Sequence, residues 1–573
     1  MEENAYNVNP DERVQTTNQQ IFKNIINQEK KINEQQQQNN PKNKNLTKEK
    51  NTLLKKRNNY LIRLFLSEIS SETHIEEYHE KPSAWDSLSP IQLQDFYKFS
   101  HDYIRSLNNK SVYDRVKYIV GKLRQWDYVT LEELLTRKFH KIDMPSKEKE
   151  NGNVEDLPLQ NSFSLKLKNQ HRFYFILEDT MIVAVQLGSL PMEKGISVAA
   201  AHIDSPYIAG RITKLKQNFN MAYLLGMPRG GLDPKDYFNI PMVVHFKGTI
   251  KDKFKKEYLE YIKLGEKDND GKIIFCEQSF HLGENKKPQI INLEAIIGNR
   301  PYPDTSYDPK IRIILNIISI LHKKYNLKES ELKLGQLAFY PAMKPSYGGL
   351  DKSFSIGYGQ DNWAGCYALL KGFLAARSPA HTKIAIFYDK EEISDRGKGS
   401  LQPDFINTYI LPVLASVLGK ELGDQFTTLR NSWDGFIDVA EPINSQDPSS
   451  YDKNDSLYFG AGVGFIPFSG DESNSGGFEV DPQMLYGMAK LAKENKIPYQ
   501  LAVMGNYNTI IPSSSHNFHL PFSKGIDFAI PCQSLHRGQD IVSLIDEWFA
   551  YKMFEAFYMA KDRDKYIAQT RRK

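Results

Sequence analysis

Hydrophobic spacing divides the chain into stretches of different character. Over 90–107 the apolar positions Leu93, Phe96, Tyr97, Phe99 and Ile104 recur at helical spacing, and 112–123 repeats the pattern, so two packed helices are expected. Short apolar or alternating runs at 172–177, 180–187 and 196–201 predict strands. From Tyr207 to about Pro345 the texture turns β-rich, with runs at 241–248, 249–251 and 272–275 between Gly and Pro residues and one helix-like run at 309–325. After Gly357 strands and helices alternate: a helix over 362–376, a strand over 384–388, a helix over 405–418 and a strand over 435–440. Asp481 and Pro482 form an N-cap and first-turn pair for a helix to about Asn495. Strands at 500–504 and 526–530 follow, and a long helix from about Asp540 closes the chain. This rhythm predicts an α/β fold with a mostly parallel sheet flanked by helices.

Composition changes that picture only at the N-terminal end. Residues 1–83 are rich in Asn, Gln and Lys, with a QQQQNN tract at 35–40, and are expected to be a disordered, low-complexity extension. Its basic part carries Lys42, Lys44, Lys48, Lys50, Lys55, Lys56, Arg57 and Arg63 against Glu49 alone, as a solvated tail or an arm for an acidic partner would. Over the whole chain charge is balanced: 74 basic and 70 acidic residues leave a net charge of +4, which makes no case for nucleic acid binding by the folded part. Three scattered cysteines, Cys276, Cys366 and Cys532, give neither a disulfide framework nor a CxxC pair. The N-terminus has no apolar signal region, and the run at 311–321 is broken by Arg312, Asn316 and Ser319. A cytoplasmic protein with no membrane association is expected.

Candidate chemistry begins at 384–395, IAIFYDKEEISD. An apolar strand ends there in four ionisable residues, and the adjacent Glu391 and Glu392 raise each other's pKa unless a cation compensates. Other metal-ligand types also fall at or after predicted strand ends. His202 and Asp204 follow the strand ending at Ala201, Asp361 precedes a helix, Asp438 ends the strand that begins at Gly435, and His536 follows the strand over 526–530. In a parallel sheet the loops at the carboxyl ends of strands converge, so these groups can meet in one crevice. Two imidazoles with several carboxylates suit a pair of zinc ions, with one glutamate spare as a base. In His202-Ile203-Asp204 an extended chain puts the outer residues on one side, so Asp204 can orient the imidazole.

AHIDSP at 201–206, YGQDN at 358–362, FYDKEEISD at 387–395, FIDVAEPIN at 436–444 and SLHRGQD around His536 resemble, in order, the motifs of the aspartyl aminopeptidase family of dinuclear zinc metallopeptidases. The resemblance extends through YPAMKPSYGGLDKSFSIGYGQD at 340–361 and covers about 84–560. It implies a catalytic domain in two parts, 84–207 and 347–573, around an inserted β-rich dimerisation domain at 208–346. It also implies a peptide substrate and a homo-oligomer, up to a dodecamer of dimers. Carried over by motif, His202 and Asp438 hold one zinc ion, Glu392 and His536 the other, and Asp361 bridges them. Cobalt or manganese are expected to exchange with zinc. Glu391 becomes the general base, and Asp204 supports the site.

The chain departs from the family at positions that bear on substrate. Pro467 stands where relatives carry a lysine, Ser513, Ser514 and Ser515 replace a glycine-rich stretch, and Ile296 falls near a histidine position. Two readings follow: a metalloaminopeptidase removing an N-terminal residue, acidic or otherwise, and a catalytically inactive relative kept as an assembly or binding scaffold.

Overall fold

The computed structural model describes residues 52, 54–55, 81–140, 172–252, 254–277, 279, 281, 293–418, 425–470, 477–506, 509–510, 517–520 and 522–567. The expected disordered extension, apart from residues 81–83 and three residues in helical conformation, lies outside them, as do Ser513, Ser514 and Ser515.

Four strands run parallel at the centre of a 12-stranded sheet: Lys383–Tyr388, Ser197–His202, Trp433–Ala440 and Lys524–Gln533, in that spatial order. The first three are buried along their whole length, and the fourth is buried except at its two ends. Their residues alternate between two cores, which is why each reads as an unbroken apolar run. Ala199, Ala201, Ala385 and Phe387 face the helices Gln360–Ala375 and Leu544–Met559. Val198, Ala200, Ile384 and Ile386 face the other side, where Ile410, Leu411 and Leu414 cover them. Outside these four the sheet is mixed, with antiparallel partners Met181–Gln186 on one flank and Asp540–Ser543 and Phe354–Gly357 on the other.

The chain between Tyr207 and Pro341 builds a second sheet of seven strands with its own core. Among the described residues its strands pair antiparallel, and Gln336–Pro341 pairs with both Tyr207–Asn218 and Pro241–Lys251, so the sheet curls back on itself. Ile296 sits there, opposite Tyr223 and beside a register shift.

The helix Pro90–Ser106 has the expected start, with Ser89 and Gln92 closing a capping box ahead of Pro90. Elsewhere, boundaries move. The runs at 241–248 and 249–251 are one strand, the helix expected from 309 begins at Arg312, and the strand expected over 500–504 spans Tyr499–Leu501. The residues expected to open the closing helix at Asp540 instead form the strand Asp540–Ser543, and the helix begins at Leu544. Among the described residues no helix is long and apolar enough to cross a membrane.

Candidate metal centre

The parallel strands end together. Tyr388 is paired with His202, so the chain leaves both strands at one level. After Tyr388 it turns at once: Lys390 is left-handed at φ 78°, Glu391–Ile393 form a 3-10 turn, and Ser394 is left-handed at φ 70°. Two such non-glycine residues are strained by about 1 kcal/mol or more each, so neighbouring contacts must hold them. Asp204 supplies those contacts: its carboxylate accepts the amides of Glu391 at 3.3 Å and Glu392 at 3.2 Å. The turn therefore brings two adjacent carboxylates into one centre, Glu391 beside His202 and Glu392 beside His536, whereas an extended strand would point them to opposite faces.

His202, 1% exposed, presents Nε2 to three carboxylates at once: Asp438 Oδ1 at 3.3 Å, Asp361 Oδ1 at 3.4 Å and Glu391 Oε2 at 3.9 Å. Its Nδ1 lies 3.3 Å from Asp204 Oδ1, which directs Nε2 toward the other three carboxylates. His536 is built the same way. Its Nδ1 donates to the Gly231 carbonyl at 2.8 Å, leaving Nε2 to face Asp361 Oδ2 at 3.0 Å and Glu392 Oε2 at 3.3 Å. Asp361 thus offers one oxygen to each imidazole. Two sets of ligand atoms are close enough to surround an ion, His202–Asp361–Glu392 and His202–Glu391–Asp438.

The electrostatics demand positive charge. Five carboxylates and two imidazoles are packed together with little solvent. Burial, reinforced by Asp438, Asp204 and Asp361, pushes Glu391 up to about 8 despite His202. Burial and Asp361 push Glu392 well above the carboxylate range, and burial raises Asp438. Burial would raise Asp361 too, but its contacts with His202 and His536 hold it below the ordinary range. His536 is raised to about 10, its burial outweighed by Asp361 and Glu392. Glu392 Oε1 is buried with no hydrogen-bond partner. A crowded carboxylate cluster with two imidazole Nε2 atoms aimed into it, where a bound cation can take the place of the imidazolium protons, fits zinc chemistry.

All seven residues singled out from sequence, His202, Asp204, Asp361, Glu391, Glu392, Asp438 and His536, meet here. Sequence reasoning missed Asp540. Its buried carboxylate accepts the amides of Gln360 at 2.7 Å and Asp361 at 3.4 Å, and burial together with Asp361 raises it to about 8. It also missed Gly231 and Tyr237, which come from the second sheet's part of the chain; Tyr237 donates its hydroxyl to the His536 carbonyl at 3.3 Å.

Comparison with known proteins decides the family. The family model described as aminopeptidase I zinc metalloprotease (M18) matches residues 131–558. The chain belongs to this family. A probable M18 family aminopeptidase 1 of Clostridium acetobutylicum is 24% identical over 434 residues, covering 74% of this chain and 86% of that protein. The crystal structure of an M18 aminopeptidase from Thermotoga maritima superposes with a TM-score of 0.70 at 21% identity, covering 84% of this chain and 99% of the other. The mApe1 dodecamer of S. cerevisiae gives 0.60 at 17% identity, covering 82% and 97%. This M18 aminopeptidase thus shares its fold with solved relatives, and its α/β architecture agrees with the sequence expectation.

Proposed function

We propose that this M18 aminopeptidase removes single residues from the N-termini of peptides, with two zinc ions held at the carboxyl ends of the central strands. One observation carries the reading: the two oxygens of Asp361 face two different imidazoles, His202 at 3.4 Å and His536 at 3.0 Å. Asp438 flanks the first imidazole and Glu392 the second, which divides the ligands into two sets sharing one carboxylate. Bound zinc supplies Lewis acidity, lowering the pKa of water and polarising a carbonyl oxygen. Glu391 makes the proton transfers. It stands beside the His202 set, takes a proton from the attacking water, and returns it to the leaving amine. Asp204 holds His202 in its tautomer and fixes the turn that separates Glu391 from Glu392. The crowd of carboxylates favours a free α-amine in the substrate and so confines cleavage to one residue from the N-terminus.

A homo-oligomer is part of the proposal, with the curled second sheet as the dimerisation element. Its exposed Ile212 and Phe219, and Leu334 beside it, support an assembly surface, and mApe1 of S. cerevisiae is itself a dodecamer. Light scattering on the purified protein should give a mass of several subunits.

The test is metal content together with hydrolysis of Asp-, Glu-, Leu- and Lys-anilides, after loading with zinc, cobalt or manganese. Two equivalents of metal and turnover of at least one substrate are expected. With Pro467 in place of the family's lysine, Asp turnover should not exceed Leu turnover. Metal bound with no turnover of any substrate would sink the peptidase in favour of the scaffold.

A further inference from the structure

We propose that Arg115 is a positioning residue for the metal centre: from the helix Val112–Gln125 its guanidinium ties the loop after His202 to the segment carrying Asp361. The inference rests on the zinc reading above. Arg115 is 1% exposed and makes no ion pair with any described residue. Its donors all go to polar groups of the chain. Nη1 donates to the Ile203 carbonyl at 2.6 Å, the Asp204 carbonyl at 3.3 Å and Ser205 Oγ at 2.9 Å. Nη2 donates to the Gly359 carbonyl at 2.7 Å, and Nε to the Asn109 carbonyl at 3.1 Å. Burying a guanidinium without a paired carboxylate is unfavourable unless its surroundings carry negative potential. Here the carbonyl dipoles supply it, and the carboxylates of Asp204 and Asp361 lie on the segments so gripped.

Other residues are built around this contact. Gly359 is left-handed at φ 73°, and a Cβ there would stand 2.4 Å from Arg115 Nη2 and 3.0 Å from Ser205 Oγ, so glycine is what lets the fork reach its carbonyl. Ser205 extends the tie by donating its hydroxyl to the Asp361 carbonyl. On the far side the Asp540 carboxylate takes the amides of Gln360 and Asp361. Residues 359–361 are therefore held by a cation on a carbonyl and an anion on two amides, and the separation of His202 from Asp361 follows from that grip. A lysine ammonium is a single point and cannot span both segments as the planar fork does.

The experiment is zinc affinity, measured on the holoenzyme by competition with a chromophoric chelator, for wild type, Arg115→Gln, Arg115→Lys and Ser205→Ala. Melting temperature of the zinc-loaded proteins is followed in parallel. Both Arg115 variants should lose about 10- to 100-fold in zinc affinity, and Ser205→Ala about fivefold, as for one hydrogen bond. Unchanged zinc affinity with a lowered melting temperature would make Arg115 merely structural and overturn the proposal, as would full recovery of affinity in Arg115→Lys. If the Arg115 variants do not fold, Ser205→Ala decides: affinity within twofold of wild type overturns it. A wild type that binds no zinc removes the metal reading and this inference together, whereas zinc bound equally by all four proteins removes this inference alone.

Discussion

The strand Trp433–Ala440 carries an aspartate facing a histidine near each end, and the two ends differ in kind. Asp434 and Asp438 point to the same face, about 13 Å apart along the strand. At the amino end His519 uses its nitrogens on separate carboxylates, Nε2 on Asp527 at 2.7 Å and Nδ1 on Asp434 at 3.5 Å, and Phe478 stacks on its ring at 3.5 Å. Asp434 is occupied further by the Leu520 amide and the Ser523 hydroxyl. At the carboxyl end three carboxylates crowd one nitrogen of His202. A histidine between carboxylates reads as a structural ion cluster when its nitrogens face separate carboxylates, and as a candidate coordination site when several carboxylates crowd one nitrogen and outnumber the cations.

The largest effect that tests this contrast is on turnover. Glu391→Gln should lower kcat about 10³-fold while zinc content is unchanged, since it removes proton transfer and not a ligand; loss of metal in this variant would move Glu391 into the ligand set. Asp438→Asn and Asp434→Asn then separate the two ends of the strand. The first should weaken zinc binding by more than the roughly 10- to 100-fold typical of a residue behind a ligand. The second should keep its zinc and lose about 2–3 kcal/mol of stability in denaturant titration, because it leaves a buried imidazole with one carboxylate fewer. Equal zinc loss in both would erase the distinction.

His519 gives a pH signature. Burial works against its charge, but Asp527 and Asp434 raise it to about 9. Its folded pKa is above the unfolded value near 6.5, so its stabilisation is complete below about pH 6.5 and fades as pH rises through about 9. His519→Gln should cost about 3 kcal/mol at pH 6 and progressively less towards pH 9.5; a difference from wild type that grows with pH would contradict the charged cluster. The smallest effect is expected for Asp204→Asn, a roughly tenfold loss in zinc affinity measured by chelator competition, since the amide can still accept one of the two turn amides.

The strands were legible because each buried face demands apolar residues at every position, so runs such as Ile384–Ala385–Ile386–Phe387 announce themselves locally. The ligand types were legible because they interrupt such runs where the chain leaves the core. Asp540 was not legible. An acidic residue before an apolar stretch reads as a helix start, and only pairing of Ser355–Ile356 with Val542–Ile541 makes it a strand. Arg115 gave no signal either, being one cation on an amphipathic helix until its partners arrive from residues about 90 and 244 positions away.

By itself the sequence determined which segments alternate between helix and strand and which side chains can bind metal, because both depend on local periodicity and side-chain chemistry. Tertiary structure alone decided that both carboxylates after Tyr388 reach one centre, that His202 and His536 share Asp361, and that His519 is bound up in its own ion cluster. Those facts depend on distances between strands that only the packed sheet brings together.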